Sequence, residues 1–201
     1  GPSASLKVIA ESRAIPLIKS RVQDGSLNVT MEEDGKPLRL RRQIEIEITS
    51  PQINSMEISG AISVLAKGLR SERFDVVAEG ACQLDLDGSV KDLHTNLDGA
   101  CTLKWENLNA NSVTANLEGA ASMSLTGSAN QAKLSASGAS ALRLQTLSLK
   151  NAFIELEGVS SSRMKVSGTI RGKVQGMSSL RNSSHAALQV TKDEMSSVIN
   201  G

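Results

Sequence analysis

One short phrase recurs seven times between Met56 and about Leu180, and its spacing constrains the fold more than any other feature of the 201-residue chain. It reads Ile58-Ser59-Gly60-Ala61, Ala78-Glu79-Gly80-Ala81, Leu97-Asp98-Gly99-Ala100 and Leu117-Glu118-Gly119-Ala120. It continues as Ala136-Ser137-Gly138-Ala139, Leu156-Glu157-Gly158-Val159 and Val174-Gln175-Gly176-Met177. Successive anchoring glycines stand 20, 19, 20, 19, 20 and 18 residues apart. A fixed period near 20 marks a solenoid, in which each repeat is one coil that buries its apolar residues against its neighbours.

Aligning the coils on glycine fixes the element type. Two residues before it stand Ile58, Ala78, Leu97, Leu117, Ala136, Leu156 and Val174, all apolar. Four after it come Val64, Leu84, Leu103, Met123, Leu142, Ser162 and Leu180; six after it, Ala66, Leu86, Trp105, Leu125, Leu144, Met164 and Asn182. Apolar columns spaced by twos follow the strand period, with Ser162 and Asn182 as the exceptions. Recurrent Gly, Ser, Thr and Asn, with no sustained spacing of three or four, count against helix. Coils of this length suit two or three short strands paired in parallel with the next coil. A second bend is signalled by Asp87-Gly88, Asn107 to Asn111, Gly127 and Gly168. The fold expected is all-β: a single-domain, right-handed parallel β-helix of about seven coils over 56–182, forming a rod about 30 Å long.

Residues 1–55 lack the phrase and read as an irregular N-terminal cap. Leu6 and Val8 alternate with polar neighbours, Pro16 interrupts with a helical turn, and Val22 to Val29 reads as strand, Asp24-Gly25 turn and strand. Glu32 to Pro37 is a charged turn. Ile44, Ile46 and Ile48 face one way, with Glu45 and Glu47 opposite, and Pro51 closes the segment. Arg39, Arg41 and Arg42 are expected to pair across strands with those glutamates. Residues 183–201 read as a C-terminal cap or tail. Thr191 and Glu194 carry capping-box spacing, so the tail closes in a short helix or frays.

Lys and Arg number 22 against 21 Asp and Glu, a formal net charge of +1, so no electrostatic case exists for nucleic acid. No apolar run approaches the ~20 residues of a membrane span. Gly1-Pro2 reads as the remnant of a cleaved tag, so the lack of a visible leader says little about compartment. Aromatic residues make up 1% of the chain, with no tyrosine. Trp105 falls in the Leu86/Leu125/Leu144 column and is assigned to the core.

The repeated phrase, as in Ser137-Gly138-Ala139-Ser140, resembles the autotransporter-adhesin head GIN domain family. So do Ile18 to Val29, and Ile46 to Pro51 leading into Met56-Glu57-Ile58-Ser59-Gly60-Ala61, so that the resemblance covers nearly the whole chain. It implies a bacterial, exported or cell-surface β-helix that is periplasmic, outer-membrane-associated or extracellular. Departures are coils richer in Glu-Gly and Asp-Gly than in Ser-Gly, and the segment from His185 to Gly201.

Motifs for catalysis are missing: no H-E-x-x-H, no G-x-S-x-G, no paired C-x-x-C. Gly168 to Lys173 imitates a phosphate-binding loop but is one residue short and lacks the following Ser or Thr. His94 and His185 stand far apart in the stack. Parallel β-helices also host pectin-degrading enzymes, which need converging carboxylates. Asp85 and Asp87 share a strand, but the next coils put Lys104/Glu106, Ser124/Thr126 and Arg143/Gln145 in those columns, so a solvated face is expected. No catalytic residue and no cofactor are assigned.

Three local features carry expectations. Glu79, Asp98 and Glu118 precede successive glycines and should form an outward acidic ladder, either a solvated edge or a weak Ca²⁺ site bridging two rungs. Cys82 and Cys101 should be neighbours on adjacent rungs, as a disulfide or as two buried thiols. The small residues Ala61/Ser63, Ala81/Gln83, Ala100/Thr102, Ala120/Ser122 and Ala139/Ala141 form a flat stripe suited to a subunit contact. The leading function is a non-catalytic, adhesin-like binding module for a polysaccharide, a surface protein or another extended partner. The alternatives are a pectinase-like polysaccharide-degrading enzyme and a structural, self-associating solenoid resembling bactofilins.

Overall fold

A computed structural model describes residues 5–24, 26–31, 44–49 and 53–201. These residues are nearly all strand and wind as a β-solenoid of about 8 turns. Six long strands carry the repeats: β6 (Ile62–Gly80), β7 (Gln83–Gly99), β8 (Thr102–Leu117), β9 (Ser122–Ala136), β10 (Ala141–Leu156) and β11 (Ser161–Val174). Each pairs in parallel with the next, as the period demands.

One coil shows how the sequence produces the bends. After Gly99, Leu103 and Trp105 point inward; Asn107, at φ 58°, turns the chain; Leu108 and Ala110 point inward; Asn111 and Ser112 both face outward at a second bend. Val113, Ala115 and Leu117 point inward before Gly119 makes the corner at φ 77°. A run of strand alternation broken at three fixed points gives a three-sided coil, and every inward column stacks on the same column one rung, about 4.8 Å, away. Ser162 and Asn182 are inward too, at 1% and 2% exposure. Asn182 is satisfied there: its Oδ1 accepts from the Val166 N–H at 2.8 Å and its Nδ2 donates to Asn200 Oδ1 at 2.8 Å.

The core also resolves the aromatic residues. Trp105 is fully buried, packs edge-on to Phe74 with ring centroids 5.4 Å apart, and donates from Nε1 to the Gly88 carbonyl at 2.9 Å. That hydrogen bond satisfies the indole N–H, which would otherwise be a cost to burying the ring.

Both ends continue the rungs without the glycine phrase. At the start, β1 (Ser5–Ile9) lies antiparallel on β4 (Ile44–Thr49), and β2 (Ile18–Gln23) antiparallel on β3 (Ser26–Met31). A 3-10 turn at Ile15–Leu17 carries Pro16. β3 and β4 then stack in parallel on β5 (Ser55–Gly60) and β6, so the cap is built into the solenoid. Ile44, Ile46 and Ile48 are buried as expected, and Glu47 pairs with Lys7 at 3.1 Å. The expectations for Glu32 to Pro37, for Arg39, Arg41 and Arg42, and for Pro51 fall outside the described residues.

The other end departs from expectation. Residues 187–200 form neither a helix nor a frayed tail: β13 (Ala187–Lys192) pairs in parallel with β11, and β14 (Ser197–Asn200) with β12 (Ser179–Asn182). This adds a turn to the seven counted from the glycines. The capping residue is Asp193 rather than Thr191. Its carboxylate accepts from the Gly176 N–H at 2.6 Å and from the Ser196 N–H at 3.0 Å, tying the last coil to the corner below it. Those hydrogen bonds, that from Gly176 foremost, hold the Asp193 carboxyl below the usual carboxylate range. A depressed value means that its stabilisation is complete above the unfolded carboxylate value and is lost as pH falls through the lowered one. Asp193→Ala is therefore expected to speed amide exchange over 191–200 several-fold at neutral pH while leaving β6 to β10 unchanged, as hydrogen–deuterium exchange would read. Equal protection in both proteins would mean that the strand pairs hold the coil unaided.

Candidate binding groove

The strand leading into each glycine corner presents an outward column five residues before the glycine. In register this column reads Asp75, His94, Thr114, Lys133, Phe153, Arg171 and Gln189. Alternation explains Phe153: Ala152 and Ile154 point inward at 5% and 0% exposure, so the ring between them faces out, at 39%. It stands one rung from Lys133 on one side and one rung from Arg171 on the other. Two residues earlier, the same coils present Ser112, Gln131, Asn151 and Thr169.

Together these side chains line a groove of about 700 Å³ that runs across four coils. Ala132 and Ala152, each at 5% exposure, contribute to its floor. Arg171 is oriented by Nε donating to Gln189 Oε1 at 2.7 Å, and Asn151 Oδ1 accepts from the Thr169 N–H at 3.0 Å. The lining carries two cations and no carboxylate. An apolar ring flanked by cations and by amide and hydroxyl groups suits an extended polar polymer, especially a saccharide, whose C–H faces pack on a ring while its hydroxyls take hydrogen bonds.

The residues singled out from sequence lie elsewhere. Glu79 and Asp98 face each other across adjacent rungs, and Glu118 follows on the next, its N–H donating to the Leu97 carbonyl at 2.9 Å. All three are exposed, beside a smaller groove of about 280 Å³ where Asn116 Nδ2 donates to Asn96 Oδ1 at 2.9 Å. Among the described residues no group of three or more His, Cys, Asp or Glu is arranged to hold a metal ion. Asp85 and Asp87 are both engaged: Gln83 Nε2, on the same strand, donates to Asp85 at 3.1 Å, and Asn107 Nδ2, on the next rung, donates to Asp87 at 2.5 Å. The segment resembling a phosphate loop lies within β11, with Ile170 buried, and forms no cradle.

Cys82 and Cys101 are both free thiols, at 2% and 0% exposure, in the column two residues after the glycine. That column continues with Ala121, Ser140, Ser160, Ser178 and Ser196, all buried. Most of its side chains serve the corner carbonyls: Cys82 Sγ lies 3.2 Å from the Glu79 oxygen, Cys101 Sγ 3.2 Å from that of Asp98, and Ser140 Oγ 2.8 Å from that of Ser137. Cys82 is pushed above the ordinary thiol value, first by its hydrogen bond with Cys101 and then by burial. The column is a structural run of small buried residues, most of them donors to a corner carbonyl, while Ser160 Oγ has no hydrogen-bond partner among the described residues.

Solved structures share the fold. A putative adhesin from Bacteroides fragilis superposes with a TM-score of 0.71 at 18% identity, covering 99% of this chain and 83% of that one. A putative adhesin from Parabacteroides merdae gives 0.78 at 16% identity, covering 98% and 83%. One from Parabacteroides distasonis gives 0.78 at 14%, covering 98% and 84%. No curated protein matches the chain. A family model described as "Putative auto-transporter adhesin, head GIN domain" matches residues 1–186, and the chain belongs to that family.

Proposed function

We propose that this protein is a non-catalytic, exported adhesin-like module that holds an extended saccharide along the Phe153 groove. Membership of the adhesin family supports the exported, surface-directed part of the reading. The observation that carries the saccharide part is the exposed ring of Phe153 between Lys133 and Arg171 in a groove spanning four coils. A repetitive solenoid face presents the same backbone geometry rung after rung, which matches a polymer better than a compact ligand. The non-catalytic part is supported by the lining, which offers no carboxylate to act as acid, base or nucleophile on a glycosidic bond.

A glycan array on the purified protein, followed by calorimetry on the hits, tests this. Binding is expected to favour oligosaccharides of several units, and Phe153→Ala should weaken it by about tenfold or more through loss of ring stacking. Lys133→Gln should weaken acidic glycans more than neutral ones. Retained affinity in Phe153→Ala, or release of shortened product from any bound glycan, would overturn the reading.

A further inference from the structure

The strand that follows each glycine corner presents a different face, and in the last coils its charge is one-sided. Five residues after the glycine, Arg143, Arg163 and Arg181 stand in register on three consecutive rungs, all exposed. Lys165 falls past the next bend, in register with Ser148, and belongs to the adjoining face. In earlier coils the arginine column reads Leu65, Asp85, Lys104 and Ser124, with Asp85 facing Lys104, and Lys104 meets Glu106 at 2.6 Å. In the last coils no such pairing occurs. Arg143 Nη1 donates to Ser122 Oγ at 2.8 Å, and among the described residues none of the three arginines has a carboxylate partner. The outward residues around them are Ala141, Gln145, Ser161, Ser179 and Ser183, none acidic. The carboxylates of these coils, Glu155, Glu157, Asp193 and Glu194, lie before or within the corner turn, and Asp193 is occupied by the Gly176 and Ser196 amides.

Like charges in register on neighbouring strands repel, and among the described residues no carboxylate relieves these. Guanidinium groups are weakly hydrated and bind phosphate oxygens in pairs, so an array of them at rung spacing is a surface for repeated phosphates.

A second feature borders the same face. At the corner, one residue after the glycine, the early coils place alanine, but the last coils place Val159 at 55% exposure and Met177 at 65%; Met195 follows in the turn above at 71%. Ile199, at 49%, continues the arginine column beyond Arg181. Large apolar side chains left in water on consecutive rungs, beside unpaired cations, have the pattern of interfacial membrane binders: apolar groups enter the acyl boundary while cations meet the headgroups.

From this charge and apolar complementarity we propose that the face carrying Arg143, Arg163 and Arg181, edged by Val159, Met177 and Met195, docks the last coils onto an anionic lipid surface. The face is separate from the Phe153 groove, so a bound lipid surface leaves the groove open.

Sedimentation with vesicles tests it, using phosphatidylglycerol/phosphatidylethanolamine vesicles against pure phosphatidylcholine, at low and high salt. Binding is expected to the anionic vesicles alone, weakening as salt rises. The triple variant Arg143→Gln/Arg163→Gln/Arg181→Gln should lose on the order of 100-fold in affinity. Met177→Ser/Met195→Ser should lose about tenfold, because apolar insertion contributes separately from charge. Lys67→Gln, which removes a cation from the first coil, should change little, and Phe153→Ala should not affect vesicle binding at all. The proposal is overturned by absence of binding to the anionic vesicles or by equal binding to phosphatidylcholine. It is overturned as well if the methionine variant binds like the parent while soluble polygalacturonate competes fully, which would assign the arginines to a soluble polyanion. Both variants change exposed side chains, and a melt matching the parent confirms that each is folded.

Discussion

Gly127→Ala is expected to destabilise the protein by about 3–5 kcal/mol, whereas Gly68→Ala should cost only about 1–2 kcal/mol. Both glycines sit at the bend that follows the first strand of their coils, and both have positive φ, 123° and 71°. Their surroundings differ. A Cβ on Gly68 would meet nothing within 4 Å, so alanine there bears only the conformational cost. A Cβ on Gly127 would fall 2.0 Å from the Leu108 carbonyl oxygen of the rung below. The obstacle is backbone in a strand pair, and no side chain can rotate away to make room. Either the rung spacing opens locally or the Leu108 to Gly127 pairing is lost. Equilibrium denaturation of both variants decides the point, and equal losses would mean that close backbone approach does not constrain this bend.

That bend also marks where the sequence stopped being legible. The glycine corner fixes the phase of every residue within about six positions of it, because strand alternation is short and regular there. Leu103, Met123 and Leu142 could therefore be placed in one column from sequence, and their in-register stacking bears this out. At that bend the register slips: Arg143 faces Ser124, yet Leu147 faces Gly127. Coils of 18 to 20 residues absorb their length differences in this stretch. Phe153 lies past the slip, counted from the corner before it, and its exposure follows only when it is counted back from Gly158. Its significance required the rungs on both sides, since Lys133 and Arg171 are 20 and 18 residues away. The last coil was missed for a different reason. Asp193 takes the place of the glycine phrase by lending a carboxylate to the Gly176 amide, so a search for repeated glycine does not find it. The arginine ladder is not legible from chain order alone, because Arg143, Arg163 and Arg181 stand 20 and 18 residues apart and only the register brings them onto consecutive rungs.

Leu103→Ala should cost about 2–5 kcal/mol, the range for emptying a well-packed site in a core that relaxes only partly. Leu103 is fully buried between Leu84 and Met123 on the adjacent rungs, with Trp105 two residues along the same strand. A cavity at this point lies in the middle of the stack, where each coil is held only by its two neighbours. Loss of one interface should therefore also reduce the cooperativity of unfolding, read as a shallower denaturant transition than that of the parent. Ser162→Ala, in the same column three coils on, should behave oppositely. Its hydroxyl is buried at 1% exposure with no hydrogen-bond partner among the described residues. Removing an unsatisfied polar atom that fills little space is expected to be neutral or to stabilise by about 1 kcal/mol. Opposite signs at Leu103 and Ser162 would establish that the column is a dry core along its length. A large loss at Ser162→Ala would instead mean that its hydroxyl is held by water inside the stack, and a loss below about 0.5 kcal/mol at Leu103→Ala would place that column in solvent.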